Sequence, residues 1–173
     1  MSIAEVLNAL AEDDARAVLA NCCAAEKWVA GMLAARPFAS DAALFAACDA
    51  IAATLSDADW LEAFAAHPLI GDVDSLRKKY AATKQLAAGE QSGVEAASET
   101  TLRELAMLNA AYLQRFGFIF IVFATGKTAD EMLAILKSRI GNDRQQEIAN
   151  AAAEQLKITR LRLEKLANEH AQS

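Results

Sequence analysis

Two prolines and seven glycines are all that punctuate 173 residues in which alanine recurs throughout. A chain so poor in breakers, and so rich in the residue that loses no side-chain entropy on coiling, is bound for helix. The start signals agree. Ser2 with Glu5 and Thr128 with Glu131 have capping-box spacing, and Ser56 with Asp59 is a looser version. The pattern predicts helices at roughly 2–11, 13–21, 24–34, 40–55, 57–66, 73–87, 95–115, 128–140 and 143–170. In the seventh, Leu102, Leu105, Leu108, Tyr112 and Phe116 share a stripe; in the last, Ile148, Ala152, Leu156, Leu163 and Leu166 do so. With no linker, repeat or low-complexity tract, the expected architecture is all-α: a single domain over residues 1–173, a bundle of about eight or nine helices. One stretch resists assignment. Phe116-Gly-Phe-Ile-Phe-Ile-Val-Phe-Ala124 suits a buried strand by propensity. Without a partner strand elsewhere it is expected to be a buried irregular or helical segment.

Composition narrows the function classes. At 54% hydrophobic the chain can bury a core, while a net charge of -6 and a pI near 5.0 argue against a nucleic-acid surface. No apolar run reaches membrane-spanning length, the patch at 116–125 included. The first basic residue is Arg16, which does not fit a secretory or transit peptide, and Ala-Gln-Ser at the C-terminus is no peroxisomal address. A cytoplasmic location is expected. Cys22, Cys23 and Cys48 lack metal-ligand or redox-motif spacing and are expected to be small buried residues in a reducing compartment.

Four regions could carry chemistry. His67 ends an apolar helix, because Pro68 pushes the residue before it out of the helical region. An imidazole at that end feels the negative pole of the helix dipole and is suited to proton transfer. The alternative is a histidine that merely caps carbonyls. Gly89-Glu90-Gln91-Ser92-Gly93 sets an acid beside an amide in a loop that could face a cleft, or could be a solvated turn. In the last helix Arg160 has Glu164 one turn on, the spacing of a surface ion pair. Arg162 is flanked by Ile158 and Leu166 and has no such acid. It needs an anion from elsewhere, a substrate carboxylate or a distant acid such as Glu90. The run Phe120-Ile-Val-Phe-Ala124 is plain core or, if it opens near Thr125-Gly126, a row of backbone donors for an oxyanion or imide carbonyl.

Taken together these blocks resemble the family of 2-oxo-4-hydroxy-4-carboxy-5-ureidoimidazoline (OHCU) decarboxylases. The resemblance rests on Ala66-His67-Pro68-Leu69-Ile70-Gly71, then Glu90-Gln91, then Tyr112-Leu-Gln-Arg-Phe-Gly-Phe-Ile-Phe-Ile-Val-Phe-Ala124. Arg139-Ile-Gly-Asn142 and Lys157-Ile-Thr-Arg-Leu-Arg162-Leu163 complete it, so that it extends over almost the whole chain. It implies a helical bundle without metal or organic cofactor, usually a homodimer, that decarboxylates a small ureide to (S)-allantoin in urate breakdown. It implies His67, Glu90 and Arg162 as the catalytic set. Pro68, Ala87, Gln91 and the backbone of Phe120, Ile121, Val122, Phe123 and Ala124 would bind substrate. Ala87 stands where the family often has serine, which removes a hydroxyl from the lining. The competing class is a non-catalytic helical interaction module, with His67 as a cap and 116–124 as apolar core. A hydrolase acting on a related ring is disfavoured, since no Ser-His-Asp or metal-ligand pattern is present to activate water.

Overall fold

The computed structural model describes residues 1–69, 72–87 and 98–171, the side chains of 81–87, 170 and 171 aside. Among these residues the protein is all-α, with nine helices and no strand. They are α1 (Ile3–Ala9), α2 (Glu12–Cys22), α3 (Glu26–Ala35), α4 (Asp41–Ala52), α5 (Asp57–Ala65), α6 (Val73–Ala87), α7 (Glu99–Phe116), α8 (Ala129–Arg139) and α9 (Arg144–Ala171). The expected boundaries hold to within a few residues because the caps are real. Ser2 and Ser56 form complete capping boxes with Glu5 and Asp59, and the Thr128 hydroxyl accepts from the Glu131 amide. Ser40 and Ser98 cap α4 and α7 in the same way.

The chain divides into two compact units, Met1–Ala66 with Ile148–Ser173, and His67–Glu147. In the first, α2 packs on α3, α3 on α4, and α1 on α4. Their core is apolar, built on Leu7, Leu19, Trp28, Met32, Leu44 and Leu163. Gly31 of α3 lets Ile51 of α4 come close: a Cβ there would meet two Ile51 side-chain atoms at 3.0 Å. Arg36, just past α3, donates to the carbonyls of Leu7 (2.7 Å) and Leu10 (2.9 Å), satisfying acceptors that the end of α1 leaves open. The α9 stripe differs from the one expected. Ala152 and Leu156 are half-buried, and the buried face runs Ile148, Ala151, Gln155, Thr159, Leu163 and Leu166. Its two polar members satisfy each other. Gln155 Nε2 donates to Thr159 Oγ1 at 3.1 Å, and that hydroxyl has the Gln155 carbonyl at 2.9 Å and the Cys22 carbonyl at 3.2 Å as acceptors.

In the second unit α7 packs against both α6 and α8. Leu102, Leu105, Tyr112 and Phe116 of the α7 stripe are buried, and Leu108 is half-buried. The helix stops at Gly117, whose φ of 82° turns the chain and whose amide donates to the Leu113 carbonyl at 2.8 Å. Residues 118–128 then run without helix or strand, which resolves the ambiguous stretch as irregular. Its aromatic side chains anchor it. The rings of Phe116, Phe118 and Phe120 lie 4.5, 5.8 and 5.3 Å from that of Tyr112, centroid to centroid. Among the described residues no helix is long and apolar enough to cross a membrane.

Candidate active site

His67 follows Ala66, the residue that caps α5, and so lies outside the helix, as Pro68 demands. It is half-buried, whereas Pro68 and Leu69 are exposed, Leu69 at 57%. Glu90 and Gln91, expected in a loop, lie outside the described residues, as do Ile70, Gly71 and the rest of 89–93. Ala87 is the last residue of α6, and its side chain too lies outside them.

The segment Phe120–Ala124 is held in a specific way. Ile121 and Val122 are buried, and Phe120, Phe123 and Ala124 are half-buried. The Ile121 carbonyl accepts from Arg139 Nη1 at 2.7 Å, and the Phe123 carbonyl accepts from Lys127 Nζ at 2.6 Å. Among the described residues the amides of Phe120, Ile121, Val122 and Ala124 find no acceptor. The carbonyls of Ile121 and Phe123 are thus engaged, while these four amides keep their donors in reserve among the described residues.

Behind it sits a buried polar cluster. Arg139 is 8% exposed and Glu147 0%. Arg139 Nε donates to Glu147 Oε1 at 2.8 Å, Tyr112 Oη donates to the same oxygen at 2.5 Å, and Asn142 Nδ2 donates to Glu147 Oε2 at 2.9 Å. The guanidinium also lies 4.8 Å from the centroid of the Phe120 ring. Burial, and then the hydrogen bond to Glu147, push the Tyr112 hydroxyl above its ordinary range, so that it stays a donor. Sequence reasoning placed Arg139 in a family block without giving it a task. The overlooked signal was Glu147, one four-residue step before Ala151 and hence on the buried face of α9, where a carboxylate needs a cation.

The two arginines of α9 separate cleanly. Arg160 Nη1 reaches both carboxylate oxygens of Asp49 at 2.8 and 2.9 Å, and its guanidinium lies 4.5 Å from the centroid of the Phe45 ring. Its acid is thus Asp49 of α4, not the Glu164 that local spacing suggested. Arg162 is half-buried and donates to the Asn21 carbonyl at 3.2 Å near the end of α2. Among the described residues it has no acidic partner. Burial pushes the nearby Cys22 thiol up to about 12 despite the opposing pull of Arg162, and Cys48 up to about 11. Both are inert apolar fillers at neutral pH, as their spacing suggested. Arg162 and these thiols belong to the first unit; His67 and 118–124 belong to the second. Among the described residues no three His, Cys, Asp or Glu side chains gather as they would around a metal ion.

Comparison with known proteins bears on most of the chain. The family model for OHCU decarboxylase matches residues 8–164. The uric acid degradation bifunctional protein TTL of Arabidopsis thaliana is 37% identical over 150 residues, 87% of this chain and 46% of that protein. The uric acid degradation bifunctional protein PucL of Bacillus subtilis is 29% identical over 147 residues, 84% of this chain and 29% of its own length. The chain therefore spans half or less of these curated relatives. A crystal structure of OHCU decarboxylase in the presence of (S)-allantoin superposes with a TM-score of 0.65 at 38% identity, covering 85% of this chain and 94% of that one. The crystal structure of an (S)-allantoin synthase shares the fold, with a TM-score of 0.68 at 24% identity over 94% of this chain and 53% of that one. A family model that runs through nearly all of the sequence settles the classification: the chain belongs to the OHCU decarboxylase family.

Proposed function

We propose that the protein is a cofactor-independent carboxy-lyase that converts 2-oxo-4-hydroxy-4-carboxy-5-ureidoimidazoline to (S)-allantoin in urate breakdown. The observation that carries this reading is the extent of the family match, residues 8–164, which includes His67, Glu90, Gln91 and Arg162. The substrate has a carboxylate and a hydroxyl on one ring carbon, beside a carbon–nitrogen double bond. The bond to the carboxylate breaks, CO2 leaves, and the electron pair enters the conjugated ring before a proton takes it up on one face. The protein's task is to stabilise negative charge growing on the ring, for which preorganised donors are the strongest means.

Each group has a part in that task. His67 hydrogen-bonds the hydroxyl or carboxylate region and manages the proton. Glu90 orients the imidazole or the ureido N–H groups, and Gln91 pairs with the ureide amides. Arg162 has guanidinium donors to spare, and holds the substrate anion or Glu90. The unengaged amides of the 120–124 segment bind the ring carbonyls, with Pro68 and Ala87 as lining. His67, Glu90 and Arg162 are the catalytic residues in this reading.

The chain acts as one family domain, because the match runs through both compact units. It works as a cytoplasmic homodimer on a small ureide, with no nucleic acid, membrane, metal or organic cofactor taking part. Freshly generated substrate, followed by CO2 release and by the optical activity of the product, tests the reading. Decay at the uncatalysed rate, or racemic product, would overturn it.

A further inference from the structure

We propose that Arg139 is a positioning residue for substrate binding: it fixes the 121–122 peptide so that the Val122 amide is presented to the ligand. The inference rests on the reading of 120–124 as ligand-binding backbone, and it adds what aims that backbone. In a trans peptide the carbonyl and the following N–H point in opposite directions, and the Ile121–Val122 bond is trans. The Ile121 carbonyl is committed to Arg139 Nη1 at 2.7 Å. The Val122 amide therefore faces away from the buried cluster, and among the described residues it has no acceptor.

An irregular segment has no ladder to set its peptide planes, so something else must. Arg139 is suited to do so because it is itself immobile. Its Nε is bound to fully buried Glu147, its plane lies close to the Phe120 ring, and Glu147 is tied in turn to Tyr112 and Asn142. A planar fork can hold Glu147 through one nitrogen and the Ile121 carbonyl through another; a lysine ammonium has three donors but all on one nitrogen, so it cannot hold both groups at the fork's spacing and angle. An amide held this way is a preorganised donor, effective because no reorganisation is needed when the ligand arrives.

The test compares Arg139→Lys, which keeps the buried positive charge, with Leu136→Val. Leu136 is a fully buried residue on the same helix, and it loses one methylene in this control. Dissociation constants for (S)-allantoin are measured by calorimetry, together with the amide spectrum of 15N-labelled protein. Arg139→Lys should bind at least tenfold more weakly, and Leu136→Val within twofold of the parent. The Val122 amide resonance should shift on adding allantoin to the parent and fail to shift in Arg139→Lys. If Arg139→Lys does not fold, the double variant Arg139→Gln with Glu147→Gln removes both buried charges and permits the same comparison. Equal affinity in a folded Arg139 variant, or equal losses in that variant and the Leu136 control, overturns the inference. Decarboxylation by the parent protein is scored separately, so a failed function and a failed positioning role give different results.

Discussion

Arg160 and Arg162 lie two residues apart on α9, yet they meet different surroundings. Arg160 is spent on Asp49 and on the ring of Phe45, an exposed pairing worth little to the fold. Arg162 has one backbone carbonyl among the described residues and is the better candidate to meet an incoming anion. Replacing Arg162 with Ala should lower kcat/KM by about tenfold or more, the usual worth of a charge-assisted bond to substrate. Arg160→Ala should stay within about twofold, as suits a surface pair. Steady-state assays of the two variants side by side check this, and equal losses would remove Arg162 from the site. His67→Ala should reduce turnover by roughly two to four orders of magnitude, the range of general acid–base contributions. The variant should keep its far-UV circular dichroism, because His67 lies outside the helices; undiminished formation of chiral allantoin would end its proposed role.

The capped helix starts were legible at the level of single elements because each such cap is made within a few residues of sequence. Ser56 accepts from the Asp59 amide and receives the Asp59 carboxylate on its own amide, all within four residues of sequence. Ser56→Ala should therefore destabilise by about 1 kcal/mol in denaturant melts. Gly117 is a second such position. At φ 82° a Cβ would meet nothing within 4 Å, so the cost of Gly117→Ala is backbone strain alone, about 1 kcal/mol. Gly117→Asn should recover part of that loss, since asparagine tolerates the left-handed region better. What stayed hidden was long-range or polar. Strand propensity in 116–124 said nothing about how those peptides would be held, and the holder, Arg139, comes from the next helix. Apolar periodicity found both ends of the α9 face, Ile148, Leu163 and Leu166, but not its middle, because Gln155 and Thr159 occupy the buried positions there and pair with one another. The partner of Arg160 is 111 residues away, beyond any local spacing rule. For the candidate site, residue types could be read from the sequence, whereas the amides of Phe120, Ile121, Val122 and Ala124, without an acceptor among the described residues, and the Arg139 clamp on Ile121 required coordinates.

At the scale of the whole molecule both units bury apolar side chains, and the second buries an ion pair as well. The second depends on a buried ion pair, and removing one member is costly because the other is stranded. Glu147→Ala should destabilise by about 3–5 kcal/mol, whereas exposed Glu99, bonded to Arg77, should matter far less. The first unit surrounds its thiols with apolar side chains, and this makes its response to alkali predictable. Burial raises Cys22 from 9.0 to about 12 and Cys48 from 9.0 to about 11. In the unfolded chain both ionise near 9, so above that pH unfolding releases protons and the folded state loses ground. Stability is thus fully present below pH 9 and drains away between 9 and about 11 to 12, as the pH climbs through the folded values. Tyr80 in the second unit, raised by burial from 10.0 to about 12, adds to the decline over the upper part of that window. Thermal melts should be flat through neutral pH and fall above 9, and Cys22→Ala with Cys48→Ala should flatten the first part of the fall. Thiol reagents at pH 8 should label these cysteines slowly in the folded protein and rapidly once it is unfolded. Melting temperatures that held steady from pH 9 to 11 would mean that water reaches these thiols.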